Sequence, residues 1–133
     1  MQLSARILRE RSVSNDRLAA RIAEIRKRFA AKLTAKIAET DAALADLAES
    51  GGKAVETVKA TYQRFHEMAG IAPTIGLSET GKAARALDAI LIDPYRAGRG
   101  LTPDETAKVR EGLDALRTAA RADMKSIDAE YLP

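Results

Sequence analysis

From residue 18 onward the apolar positions Leu18, Ile22, Ile25, Phe29, Leu33, Ile37, Thr40, Leu44 and Leu47 recur at spacings of three and four. Such spacing keeps one stripe of a helix facing inward. It predicts a long amphipathic helix over about 16–49, with Asn15 and Asp16 as caps at its start. Glu49-Ser50-Gly51-Gly52 supplies the stop signal. Upstream, Leu3, Ile7 and Leu8 suggest a short extra helix packed across one end of the molecule.

A second helix is expected from about Lys53, carrying Val55, Val58, Tyr62, Phe65, Ala69 and Ala72 inward and ending by Gly76. Pro73 falls near its end, where the missing N–H predicts a kink or an early termination. Ser78 reads as the cap of a third helix with Leu77, Thr80, Ala84, Leu87 and Leu91 on its buried stripe. Asp93-Pro94 is expected to close it, because a residue before proline avoids the α region. Tyr95 to Gly100 then reads as a polar, flexible loop. Thr102-Pro103-Asp104-Glu105 is a strong start signal: a threonine cap, proline at the first helical position and glutamate three residues after the cap. Val109, Leu113, Leu116, Ala120, Met124, Ile127 and Tyr131 form the last stripe.

Four amphipathic helices with short connections bury their stripes most simply as an antiparallel up-and-down four-helix bundle, so the chain is expected to be all-α. No segment alternates with period two for long enough to form a strand, and no internal repeat or linker divides the chain. At 133 residues one domain is expected, with its core over about 16–130 and residues 1–15 as an N-terminal extension.

Composition narrows the chemistry. Cysteine is absent, which excludes disulfides, thiolate zinc sites and a cysteine nucleophile. The longest apolar runs are far short of the roughly 20 residues needed to span a bilayer. The basic N-terminus also lacks the apolar region and cleavage site of a secretory signal. A cytoplasmic protein with no membrane partner is therefore expected. Residues 1–36 hold ten Lys/Arg against three Asp/Glu, whereas 37–133 hold twelve against sixteen. The basic end could meet an acidic partner, but the five aromatic residues form no stacking platform and no DNA-reading motif is present, so nucleic acid is not expected.

A single histidine, His66, excludes a two-histidine metal site. At about 100° per residue it lies roughly 70° from the centre of the second helix's apolar stripe, at the border of the core. Gly70 follows one turn later on the same face, where a helical glycine costs about 1 kcal/mol relative to alanine. A bare patch beside an accessible imidazole suits the approach of a partner surface.

The run Phe65-His66-Glu67-Met68-Ala69-Gly70 with Gly76 ten residues after the histidine, followed by Lys82-Ala83-Ala84-Arg85-Ala86-Leu87-Asp88, resembles the signature of histidine-containing phosphotransfer (HPt) domains of bacterial phosphorelays. His66, Met68, Ala69, Gly70 and Gly76 occupy the places of that pattern. The resemblance extends over about 16–130, and its specific part covers about 25 residues. It implies a four-helix bundle in which His66 is the phospho-acceptor, exchanging a phosphoryl group with an aspartate of a response-regulator receiver domain or taking it from a histidine kinase. It also implies that Asp88, 22 residues after His66, orients the imidazole where family members often place a glutamate or glutamine. Lys82 and Arg85 would screen the transferred phosphate, and Glu67 would face the partner. The sequence departs from many members in having Ala69 where a lysine often stands.

No Gly-x-x-x-x-Gly-Lys-Ser/Thr loop is present, so the chain is not expected to hold ATP. No cofactor is expected on this chain, and any magnesium ion would come with the receiver. A monomer or a weak dimer is expected. The competing reading is a helical adaptor or scaffold that binds partners through the same face and is never phosphorylated.

Overall fold

A computed structural model describes residues 2–48 and 50–130 of the protein. Helix α1 spans Gln2–Ala42, α2 Leu44–Ala48, α3 Gly52–Thr74, α4 Ser78–Ala97 and α5 Pro103–Glu130. The fold is an all-α helical bundle in which α1, α3, α4 and α5 run up, down, up and down. Arg64 of α3 reaches Glu39 of α1, while Arg26, thirteen residues earlier on α1, meets Ile75 just past α3. Arg117 of α5 pairs with Asp41 of α1 at 3.0 Å and closes the ring of helices. One buried cluster runs through the middle, with Leu33, Ile37, Val58, Phe65, Leu87, Leu91, Leu113 and Leu116 almost wholly removed from water.

The N-terminal reading is corrected. Instead of a short helix packed across one end, residues before 16 continue α1 without a break, and Asn15 and Asp16 lie inside it rather than capping it. No glycine or proline interrupts residues 2–42, and Arg6 and Glu10 pair at 3.4 Å one turn apart. Cap-forming side chains start a helix only where the preceding backbone is not already helical. Ile7, Leu8 and Val13 remain exposed, and residues 5–18 have no exposed-to-buried alternation at all. At its far end α1 stops at Ala42, and Leu44 and Leu47 turn inward on the short α2. Glu49, Tyr131 and the side chain of Leu3 lie outside the described residues.

The turn between α3 and α4 is tightly specified. Pro73 sits in the last turn of α3, which ends one residue later at Thr74. The N–H of Gly76 donates to the Pro73 carbonyl at 3.1 Å and that of Leu77 to the Ala72 carbonyl at 2.9 Å, a Schellman closure. It requires the left-handed backbone of Gly76, with φ of 83°. The Arg26 Nε–H donates to the Ile75 carbonyl at 2.6 Å and ties this turn to α1.

Ser78 does not cap α4. The Asp123 carboxylate from α5 does so instead, accepting the Thr80 N–H at 2.7 Å, the Thr80 hydroxyl at 2.7 Å and the Glu79 N–H at 3.3 Å. A buried carboxylate at a helix N-terminus satisfies orphan donors and meets the positive end of the dipole. Nor does Asp93-Pro94 close α4, which continues to Ala97. Pro94 is buried and Tyr95 is half-buried, so both extend the stripe of Leu87 and Leu91. Their burial offsets the roughly 3 kcal/mol that an internal proline costs. The segment beyond is also pinned rather than loose. Gly98 takes the left-handed conformation at the end of α4, and the buried Leu101 donates its N–H to the Leu47 carbonyl at 2.8 Å.

The α5 start is a reciprocal capping box. The Thr102 N–H donates to Glu105 Oε1 at 2.9 Å, and the Glu105 N–H donates to Thr102 Oγ1 at 3.1 Å. Arg99 grips the same carboxylate with two bonds of 2.6 and 3.2 Å. The Arg99 guanidinium, helped by the Thr102 N–H, pulls the Glu105 carboxyl down from 4.5 to about 2. A carboxyl lowered on folding contributes stability that is complete above its unfolded value and disappears as pH falls through its folded one. Glu105→Ala is therefore expected to lower stability by about 1 kcal/mol at neutral pH. In urea titrations at stepped pH, the gap to wild type should close between pH 4.5 and about 2.

Candidate functional site

Helices α3 and α4 approach closely because Gly81 presents no side chain to Pro73. A Cβ on Gly81 would lie 2.7 Å from Pro73 Cγ and 2.9 Å from Cδ, distances that a rigid ring does not accommodate. Seven residues back along α3 from Pro73 is His66, and seven residues on along α4 from Gly81 is Asp88. Seven residues is close to two helical turns, so the antiparallel pair that meets at Pro73 and Gly81 meets again at His66 and Asp88.

There the His66 Nδ1 lies 3.0 Å from Asp88 Oδ2. An ionised carboxylate only accepts, so Nδ1 carries the proton in this contact and the neutral ring keeps its lone pair on Nε2. The His66 side chain is 64% exposed and that of Asp88 18% exposed. The imidazole is thus held from below by a half-buried acid and open to approach. Asp88 Oδ1 is buried without a hydrogen-bond partner, which leaves Oδ2 as the oxygen that meets the histidine.

Tyr62, one turn before His66, stacks with the imidazole at a centroid distance of 5.4 Å and an interplanar angle of 27°. Tyr95, from the last turn of α4, stacks with Tyr62 at 4.4 Å and 19°. The sequence pattern puts Tyr62 on the core stripe and Tyr95 in a loop, and marks neither as part of the site. The four-residue spacing of Leu87, Leu91 and Tyr95 is the signal that continues α4 across Pro94.

The other residues of the motif separate into roles. Met68 and Ala69 are buried in the core, Gly76 makes the turn, and Gly70 is exposed with open space where a Cβ would stand. Glu67 turns toward a shallow groove between α1 and α3, of about 400 Å³, shared with Phe29, Lys32, Met68 and Ile71. Lys82 is exposed and pairs with Glu79 at 3.3 Å. Three and six residues before Asp88, Arg85 and Lys82 lie about 60° and 120° round α4 from it, so the helix carries Lys82 away from the imidazole and leaves exposed Arg85 the nearer cation by position. Among the described residues, no three His, Asp or Glu side chains gather as a metal site, and no helix is long and apolar enough to cross a membrane.

No protein-family model, curated protein or solved structure matches this chain.

Removing the orienting acid should change the proton's place on the ring. In Asp88→Ala the neutral His66 is expected to pass from the Nδ1–H tautomer to a population dominated by Nε2–H, the form favoured by an unrestrained side chain. Long-range 1H–15N NMR of the labelled imidazole reads this directly, and an unchanged tautomer in the variant would show that Asp88 does not set it.

Proposed function

We propose that the protein is a phosphorelay intermediate that accepts a phosphoryl group on His66 Nε2 and exchanges it with an aspartate of a response-regulator receiver domain. The observation that carries this reading is the exposed imidazole bonded through Nδ1 to Asp88. It supplies a lone pair outward and a fixed proton inward, which a nucleophile that must remain accessible to a second protein requires. The likeness of the residues around His66 to HPt domains points the same way.

In the forward step the Nε2 lone pair forms a bond to phosphorus while the bond from phosphorus to the donor aspartate oxygen breaks. The electron pair leaves with that oxygen and restores the donor carboxylate. The Nδ1 proton stays in place, so the product ring carries positive charge beside the Asp88 carboxylate and a phosphoryl dianion at Nε2. Transfer to an acceptor aspartate reverses these bonds. Electrostatic support for the phosphoryl group in flight falls to the receiver and its magnesium ion, with Arg85 nearer by position on α4 than Lys82.

The site is complete only against a partner. Gly70, with open space above it, leaves the face one turn from His66 flat, and Arg85 is exposed on the facing helix. A cytoplasmic location and a histidine kinase upstream belong to the same proposal. The adaptor reading draws on the α1–α3 groove, where exposed Ile71 lies beside the half-buried Phe29 under a rim of Lys32, Lys36 and Arg64.

Incubation with phosphorylated receiver domains and active histidine kinases should place acid-labile, alkali-stable phosphate on the wild type and none on His66→Gln. Absence of label across a broad donor panel, with folded protein, would favour the adaptor. Gly70→Ala is expected to stabilise the free protein by about 0.5–1 kcal/mol in urea unfolding, since the helix gains a better former. The same variant should slow transfer from receivers, and an unchanged transfer rate would remove Gly70 from the docking face.

A further inference from the structure

One hydrogen bond does not fix a ring. The 3.0 Å contact from Asp88 holds His66 at Nδ1, but a ring with two side-chain torsions keeps one coupled motion of them under a single restraint, and with the side chain 64% exposed the solvent side offers no further one. The direction of the Nε2 lone pair, which must lie along the path of attack, is set by the plane of the ring.

That plane has a partner. Tyr62 lies against the imidazole at 5.4 Å and 27°, within the offset-stacking range of aromatic pairs. Tyr62 is itself held by Tyr95 at 4.4 Å and 19°. Tyr95 stands seven residues after Asp88 on α4, and Tyr62 four residues before His66 on α3. Helix α4 therefore reaches the imidazole twice, at the edge through a carboxylate and at the face through two tyrosine rings.

We propose that Tyr62, braced by Tyr95, is a positioning residue for phosphoryl transfer at His66, holding the imidazole plane so that Nε2 points at the incoming phosphorus. The inference rests on the phosphotransfer reading and adds two residues to it. Its chemistry goes beyond geometry. In the phosphorylated ring, with phosphorus on Nε2 and a proton on Nδ1, positive charge is delocalised over the imidazole, and a tyrosine face attracts such a cation more than the neutral ring. The ladder thus favours the phosphorylated state over the resting one, which is the differential support that a transfer step uses.

The test needs no partner protein. Potassium phosphoramidate donates phosphoryl to an accessible imidazole, its P–N bond breaking as the new N–P bond forms and ammonia leaving. Label on His66 is followed by 31P NMR in the wild type and in Tyr62→Phe, Tyr62→Leu and Tyr95→Leu, with folding checked by circular dichroism. Tyr62→Phe should label at the wild-type rate, because the ring is retained. Tyr62→Leu should label on the order of fivefold more slowly, and Tyr95→Leu by a smaller factor. The double variant should be no slower than Tyr62→Leu, because Tyr95 acts through Tyr62. Label at the wild-type rate in folded Tyr62→Leu overturns the ladder, and should that variant not fold, the wild-type rate in Tyr95→Leu does so. A wild type that takes label from phosphoramidate and from no receiver, while Tyr62→Leu remains slow, overturns the relay reading and leaves the ladder standing.

Discussion

The close approach of α3 and α4 at Pro73 and Gly81 is the constraint on which the rest depends. Ridges and grooves permit two antiparallel helices to slide, and many registers bury similar apolar area. A proline ring pressed onto a bare glycine does not slide, because one residue either way sets Cβ atoms against the ring. The same register, carried two turns along, brings a histidine opposite a half-buried acid and lets the last turn of α4 lie beside Tyr62. Asp123 of α5 fixes α4 from below by binding its first N–H groups, so the strand of contacts that aims the imidazole begins at a capped helix end.

What the sequence revealed follows from the range of the forces involved. Local signals are legible: the Thr102 to Glu105 capping box forms as the spacing demands, α3 ends one residue after Pro73, and every residue of the α4 stripe that the spacing predicts is buried. Failures occurred where a distant group overrode a local rule. Ser78 looked like a cap because nothing nearby reveals that Asp123, more than 40 residues on, supplies the acceptor. Pro94 looked like a stop because the gain from burying it and stacking Tyr95 is tertiary. Asn15 and Asp16 looked like a start because capping propensity says nothing about whether the chain before them is already helical. Of the candidate site, His66 and Asp88 are legible through the resemblance of their spacing to a known motif, whereas the tyrosines are not, since one is hidden in the core stripe and the other behind a proline.

Asp88 illustrates a tension between stability and readiness. One of its oxygens is bonded to the histidine and the other is buried with no partner. An unpaired buried acceptor costs on the order of 1–3 kcal/mol, and an apolar residue at this place would pack without that penalty. The protein retains a carboxylate whose single strong partner is a ring that itself stands in solvent. A core side chain is satisfied from all sides; this one is satisfied only through a ring that faces solvent.

Helix α1 continues well past the turn that Arg26 holds, and its residues 5–18 are exposed on every face. Fourteen residues of helix measure about 21 Å, at 1.5 Å per residue. A flexible chain of that length would average nearly the same reach, about 5–6 Å times the square root of its residue number, but would sample every shorter distance and all orientations. The rod has one length and one angular phase. Anything bound to its outer turns would be held at a constant offset from His66, and a twist applied there would arrive at Arg26 as a twist, as with a ruler or a torsion bar and unlike a tether.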